Sequence, residues 1–162
     1  MDAVARTDGY ARAACALWAE RHVPTPSGRG TVVIADDDGF SAEALADMLE
    51  DEGFSVVGMA FDGAQAVDAV RRLAPDVVLM DLRMPVMDGM EATRLICNDR
   101  NAVQVVMLSA YDEQILREEA LRNGAYRYLV KGCRPDLLFE TIRAARARRV
   151  ELDRSAAAAA NA

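Results

Sequence analysis

Lysine is almost missing from this chain. Of its nineteen cationic residues only Lys131, in "YLVKG", is a lysine; the rest are arginine. Histidine is nearly absent as well. His22 stands alone, and with Cys15, Cys97 and Cys133 it makes neither a CxxC pair nor a metal-ligand spacing. Thiol-based metal sites and a disulfide framework are thereby excluded, and reduced thiols are the expectation. Excess positive charge is lacking too. A net charge of −7 argues against sequence-independent nucleic-acid binding by the whole molecule. No long apolar run occurs. The longest patch, Ala13 to Ala19, is too short for an export signal or a membrane span, and the Met-Asp start lacks a basic region. These absences predict a cytoplasmic protein with no membrane contact.

What is present is a regular alternation. The 162 residues suit one domain with a short appendage. Tyr10, Ala13, Ala14, Leu17 and Trp18 share one helical face, which predicts a helix over 8–21. "VPTPSGRG" then breaks the chain as a linker, so residues 1–30 read as an extension. Five short apolar runs follow: "TVVIA", "FSVVGMA", "DVVLM", "VQVVML" and "YRYLV". Helical stretches separate them, expected over Ser41 to Glu52, from Asp62 as cap to Leu73, Gly89 to Asp99, and Asp112 to Arg122. A last helix starts at Pro135 and runs towards Val150. Strands alternating with helices predict an α/β domain over 31–150, a five-stranded parallel sheet with helices on both faces. Residues 151–162 form an Ala-rich tail expected to fray.

In open α/β sheets, ligands sit at the carboxyl ends of the strands. The first strand runs into Asp36-Asp37-Asp38, the third into Asp81, the fourth into Ser109 and the fifth into Lys131; the second ends in Ala60. Singly, each such residue serves as a turn former or cap. Together they gather carboxylates, a hydroxyl and the sole ammonium at one edge. Two unit charges about 4 Å apart repel by roughly 4 kcal/mol at an effective dielectric of 20. A hard divalent cation relieves that repulsion, and aspartates with waters and a carbonyl suit Mg²⁺. Cation, ammonium and hydroxyl then make an anion site, which is most of what phosphoryl transfer requires. A carboxylate there can itself be the nucleophile.

These residues resemble the receiver domain of bacterial two-component response regulators. "VVIADDD", "LMDLRMPVMDGMEA", "VVMLSAYD" and "YLVKG" match its motifs in order and spacing over about Thr31 to Val150. The resemblance implies a flavodoxin-like doubly wound sheet with strand order 2-1-3-4-5. It implies that Asp81 accepts a phosphoryl group from a sensor histidine kinase or phosphotransfer protein. Asp36 and Asp37 would hold Mg²⁺ with Asp81 and the carbonyl of Arg83, Asp37 directly and Asp36 mainly through water. Ser109 would be the switch hydroxyl, Tyr128 the aromatic that rotates with it, and Lys131 the cation that binds a phosphoryl oxygen. An arginine fork would be too bulky for that pocket, which explains the single lysine. Such a domain signals to a downstream protein rather than turning over a substrate, and the resemblance leaves room for a homodimer. Two departures stand out. Gly132 occupies the position after the lysine where the family often has a proline in a cis bond, and Asp38 adds a third carboxylate at the pocket mouth. Arg83 and Tyr111 fall at variable positions that tune phosphoryl lifetime in the family.

Two other readings compete. "VVIADDDGF" imitates the opening of haloacid-dehalogenase-like phosphohydrolases, with Asp36 as nucleophile and Asp38 as acid/base, but it leaves "MDLRMPVMDG" unexplained. DNA-linked output is the second, since many receivers carry a DNA-binding domain and Arg143, Arg146, Arg148 and Arg149 make the last helix basic. Only twelve residues follow Val150, so the expectation is a stand-alone receiver, with any DNA-linked output supplied by another chain and no direct nucleic-acid contact.

Overall fold

The computed structural model describes residues 28–99 and 102–160, so the helix expected over 8–21, with Cys15 and His22, lies outside the described residues. The alternation is realised as β1 (Thr31–Ala35), α1 (Gly39–Asp51), β2 (Ser55–Ala60), α2 (Gly63–Leu73) and β3 (Val77–Met80), followed by α3 (Gly89–Asn98), β4 (Gln104–Ser109), α4 (Gln114–Arg122), β5 (Arg127–Val130) and α5 (Pro135–Ala160). All pairings are parallel, in the order β2-β1-β3-β4-β5.

Each strand alternates its side chains between two cores. Val33, Ala35, Val78, Met80, Val105 and Met107 face one side, under Ala66 and Val70 of α2, Ile96 of α3 and Ala120 of α4. Val32, Ile34, Val77, Leu79, Val106 and Leu108 face the other, under Leu49 of α1 and Leu138 and Ile142 of α5. Because both faces are covered, β3 reads as an unbroken apolar run.

The register brings the strand ends level. Ala35 pairs with Met80, and Met80 with Met107. The ladder continues one residue further, with the Asp36 amide donating to the Ala60 carbonyl, that of Asp81 to Ala35, and that of Lys131 to Ser109, at 3.0, 2.8 and 2.8 Å. The residues that carry the chemistry therefore emerge along one edge.

Three boundaries differ from expectation. Helix α1 starts at Gly39 because Asp38 caps it, accepting from the Phe40 amide. Helix α4 starts at Gln114, since Asp112 does not cap it but pairs its carboxylate with Arg117. The tail does not leave the helix at Val150. Alanine has the highest helix propensity, and α5 continues, exposed, to Ala160. Among the described residues no helix is long and apolar enough to cross a membrane, and Cys97 and Cys133 are free thiols.

Candidate functional site

The structure brings Asp36, Asp37 and Asp81 together, with one oxygen of each within 4.8 Å of the others. Asp36 is buried at the end of β1. Its Oδ1 accepts from the Asp38 amide at 3.0 Å, and its Oδ2 meets Lys131 Nζ at 2.7 Å. Asp81 follows β3. Its Oδ1 accepts from the Leu82 amide at 2.8 Å, which orients the carboxylate, and its Oδ2 lies 3.3 Å from the same Nζ. Lys131 therefore spans from the end of β5 to carboxylates on β3 and β1. A compact ammonium on a flexible stem suits that task.

One ammonium does not balance three carboxylates. Burial pushes Asp81 above the ordinary carboxylate range; Lys131 opposes the shift and Asp36 adds to it. Asp37 is raised as well, by desolvation and then by the charge of Asp36. Burial alone would lower Lys131, yet its hydrogen bond to Asp36 and the charges of Asp36 and Asp81 together raise it. The group is built for a further positive charge, and its all-oxygen donor set suits a hard cation such as Mg²⁺.

Asp38 does not join this cluster. Its carboxylate accepts from the Ser41 hydroxyl at 2.7 Å and from the Phe40 amide at 3.2 Å, and the Ser41 bond is the main reason its pKa is lowered. Asp38 makes the pocket mouth more negative as expected, since its charge adds to the upward shift of Asp37, and it caps α1 as well. The phosphohydrolase reading loses its acid/base, since the Asp38 carboxylate is taken up by the cap of α1.

Ser109 is fully buried at the end of β4. Its Oγ accepts from the Tyr111 amide at 3.2 Å, and its own O–H has no acceptor among the described residues. Tyr128 is buried on β5 and donates its hydroxyl to the Tyr111 carbonyl at 2.6 Å. Tyr111 thus bridges the two expected switch residues through its backbone, which no sequence pattern announced. Gly89 is another residue whose part was missed. A Cβ there would lie 1.9 Å from the Asp81 carbonyl oxygen, so only glycine lets α3 start against the loop that carries Asp81. The signal was legible as "DG", a turn dipeptide directly after the loop. The Lys131–Gly132 bond is trans, and Gly132 takes φ +83°, which proline's fixed φ forbids.

The basic residues of α5 turn towards the domain. Arg143 pairs with Glu52, Arg146 and Arg149 pair with Asp76, and Arg148 lies over the Tyr126 ring. Arg146 and Arg149 are thereby half-buried, while Arg143 and Arg148 stay exposed.

Comparison with known proteins agrees with this geometry. The response regulator receiver domain family matches residues 32–143. The chain is similar to the transcriptional regulatory protein LnrK of Bacillus subtilis, 38% identical over 112 residues that make up 68% of this chain and 51% of LnrK. It is 42% identical to the transcriptional regulatory protein PdtaR of Mycobacterium tuberculosis over 62% of this chain and 48% of PdtaR. The chain spans about half the length of these relatives. Among solved structures, the receiver domain of the putative response regulator NarL from Mycobacterium tuberculosis superposes with a TM-score of 0.70 at 30% identity, covering 73% of this chain and 96% of that one. A chain from the CheX-CheY-BeF3-Mg complex of Borrelia burgdorferi superposes with a TM-score of 0.66 at 30% identity, covering 70% and 87%.

Proposed function

The chain belongs to the response regulator receiver domain family, and on that premise we propose that Asp81 is its phosphoacceptor. The observation that carries the reading is the convergence of Asp36, Asp37 and Asp81 on one point beside the chain's single lysine. The donor is a sensor histidine kinase or a phosphotransfer protein. A carboxylate oxygen of Asp81 attacks phosphorus, the bond from phosphorus to the donor's imidazole nitrogen breaks, and its electron pair stays on nitrogen. The product is an acyl phosphate on Asp81 and a free imidazole.

Each neighbour has a part. Asp36, Asp37, Asp81 and the Arg83 carbonyl would hold Mg²⁺, which would supply positive charge for the phosphoryl oxygens. Asp37, exposed beside the cluster, is available as a direct ligand, whereas Asp36 is already engaged by Lys131 and the Asp38 amide. Lys131 meets one phosphoryl oxygen. The Ser109 O–H is free to donate to another without giving up the bond that its oxygen accepts from Tyr111. The readout is a change at Ser109 and Tyr128 that a downstream protein recognises, so the domain signals and does not turn over a substrate. Direct nucleic-acid contact through α5 has no part in this reading, and Arg143, Arg146 and Arg149 are paired with carboxylates of the domain.

Incubation with acetyl phosphate and Mg²⁺ tests it. Intact mass should gain one phosphoryl group, and Asp81→Asn should gain none. Labelling of that variant to the wild-type extent would sink the assignment.

A further inference from the structure

Helix α5 outruns the sheet. Leu138, Ile142 and Ala145 bury one stripe of it against the second core. The same spacing of four and three residues carries that stripe on through Arg149 to Leu152, Ala156 and Ala159. The last three are exposed, Leu152 at 43%, so the pattern of a buried face continues where no described residue covers it. The amino-terminal part of the chain comes to the same place. Gly28 accepts through its carbonyl from Arg146 Nη1 at 2.6 Å, and Arg29 pairs with Glu52 at 2.7 Å. The chain before Gly28 therefore starts against α5 at the point where α5 leaves the domain. It does so on the side that continues through Arg149, Asp153 and Ala156.

We propose that the outer part of α5 is the docking surface for residues 8–21 of the same chain, lying antiparallel to it as a helix. Reach, length and pattern select this occupant. Residues 22–27 span up to about 20 Å when extended, ample for the roughly 8–10 Å between packed helix axes. At about 1.5 Å per residue, a helix over 8–21 and the stretch 147–160 each extend about 21 Å. The antiparallel sense places residue 21 near Ala147 and leaves the linker only a turn to make. A parallel sense would stretch it along the whole helix. Antiparallel, Leu17 falls opposite Leu152, Ala13 opposite Ala156 and Tyr10 opposite Ala159. Facing alanines let the two backbones approach, and the large Tyr10 meets a small partner, as an interdigitated core requires. A helix of about 14 residues is marginal alone in water, so the pairing stabilises a segment that has no other cover. The proposal is independent of which carboxylate takes the phosphoryl group.

Trp18 is the only tryptophan and belongs to the expected docking face, so its fluorescence reads the contact in the whole chain. In the wild type its emission should lie at shorter wavelength than in the chain unfolded by denaturant. Leu152→Asp should lose most of that difference; Leu152 is exposed, so the two cores stay intact. Val150→Asp, about 200° round the helix from Leu152, should keep it. Hydrogen exchange reads the other partner. The amides of 152–160 should be protected in the wild type to a degree independent of protein concentration, and Leu17→Asp should remove that protection. An unshifted Trp18 in the wild type, or a full shift in Leu152→Asp, would overturn the proposal. Equal loss in Val150→Asp would overturn the assigned face. Protection of 152–160 that survives Leu17→Asp would show that the segment is not what covers them, and protection that fades on dilution would give the surface to a second copy instead.

Discussion

Asp76 and Asp81 flank the same four-residue strand, and their surroundings differ in kind. Asp76, at the amino end of β3, accepts from the Thr31 amide and hydroxyl and meets both Arg146 and Arg149. Asp81, at the carboxyl end, is the more buried of the two, with 12% of its side chain exposed against 20%. Yet it receives one backbone N–H and a share of one lysine, with two other carboxylates beside it. Two guanidinium forks close the first site and leave nothing to exchange. A single ammonium leaves the second with surplus negative charge, which is what the proposed cation and phosphoryl site requires. Arginine serves closure here and lysine serves exchange.

The sharpest way to break this contrast is to swap the losses. Asp81→Asn should abolish phosphoryl uptake, as intact mass will show, with little effect on the thermal midpoint. Asp76→Ala should do the reverse. It removes the carboxylate shared by Arg146, Arg149 and the Thr31 amide, which costs about 2–3 kcal/mol and lowers the midpoint by about 5–10 °C in a thermal melt. Uptake per folded molecule should be unchanged. Equal damage to both properties in both variants would mean that the two ends of β3 are not functionally distinct.

Lys131→Arg sharpens the comparison at the level of the cation. Charge is kept but the wider fork does not fit between Asp36 and Asp81. Mass labelling should persist, while the amide shifts of Ser109 and Tyr128 on adding beryllofluoride should shrink to a minor fraction of wild type. An unaltered response would make the lone lysine incidental.

A smaller effect separates the acidic pair. Titration calorimetry with Mg²⁺ should show a larger loss of affinity for Asp37→Ala than for Asp36→Ala, because Asp36 is already committed to Lys131. The smallest effect concerns pH. The pKa of Asp37 is raised above its ordinary 3.8 in the fold. Between those two values the native state therefore binds more protons than the unfolded chain, and stability is lost as pH rises through the raised value. Asp37→Asn should accordingly raise the metal-free midpoint slightly at neutral pH and not below 3.8. Melts with Mg²⁺ present should reverse the advantage, because the cation needs the charge.

Much of this was legible in the residues. The β-branched runs and their spacing predicted five buried strands, and Asp62 and Pro135 marked helix starts where the structure has them. The positions of Ser109 at a strand end and of Asp81 and Lys131 just past one followed from the same reading, because a strand's length is a local property. Three things were not legible. Asp38 looks like its neighbours in "ADDDG", but its backbone at φ −86° and ψ 99° turns its carboxylate onto Phe40 and Ser41 instead of Lys131. Tyr111 looks like a surface aromatic until β5 brings Tyr128 beneath its carbonyl. Arg143, Arg146 and Arg149 look like part of an open basic face until Glu52 and Asp76 are placed against them. By itself the sequence determined the elements, the polarity of each strand end and the choice of one lysine, since these depend on local periodicity and residue type. Only the tertiary structure decided which of those ends share a pocket. The ion pair of Asp36 with Lys131 joins residues 95 positions apart, and such a contact exists only once strand order and register set the distance between them.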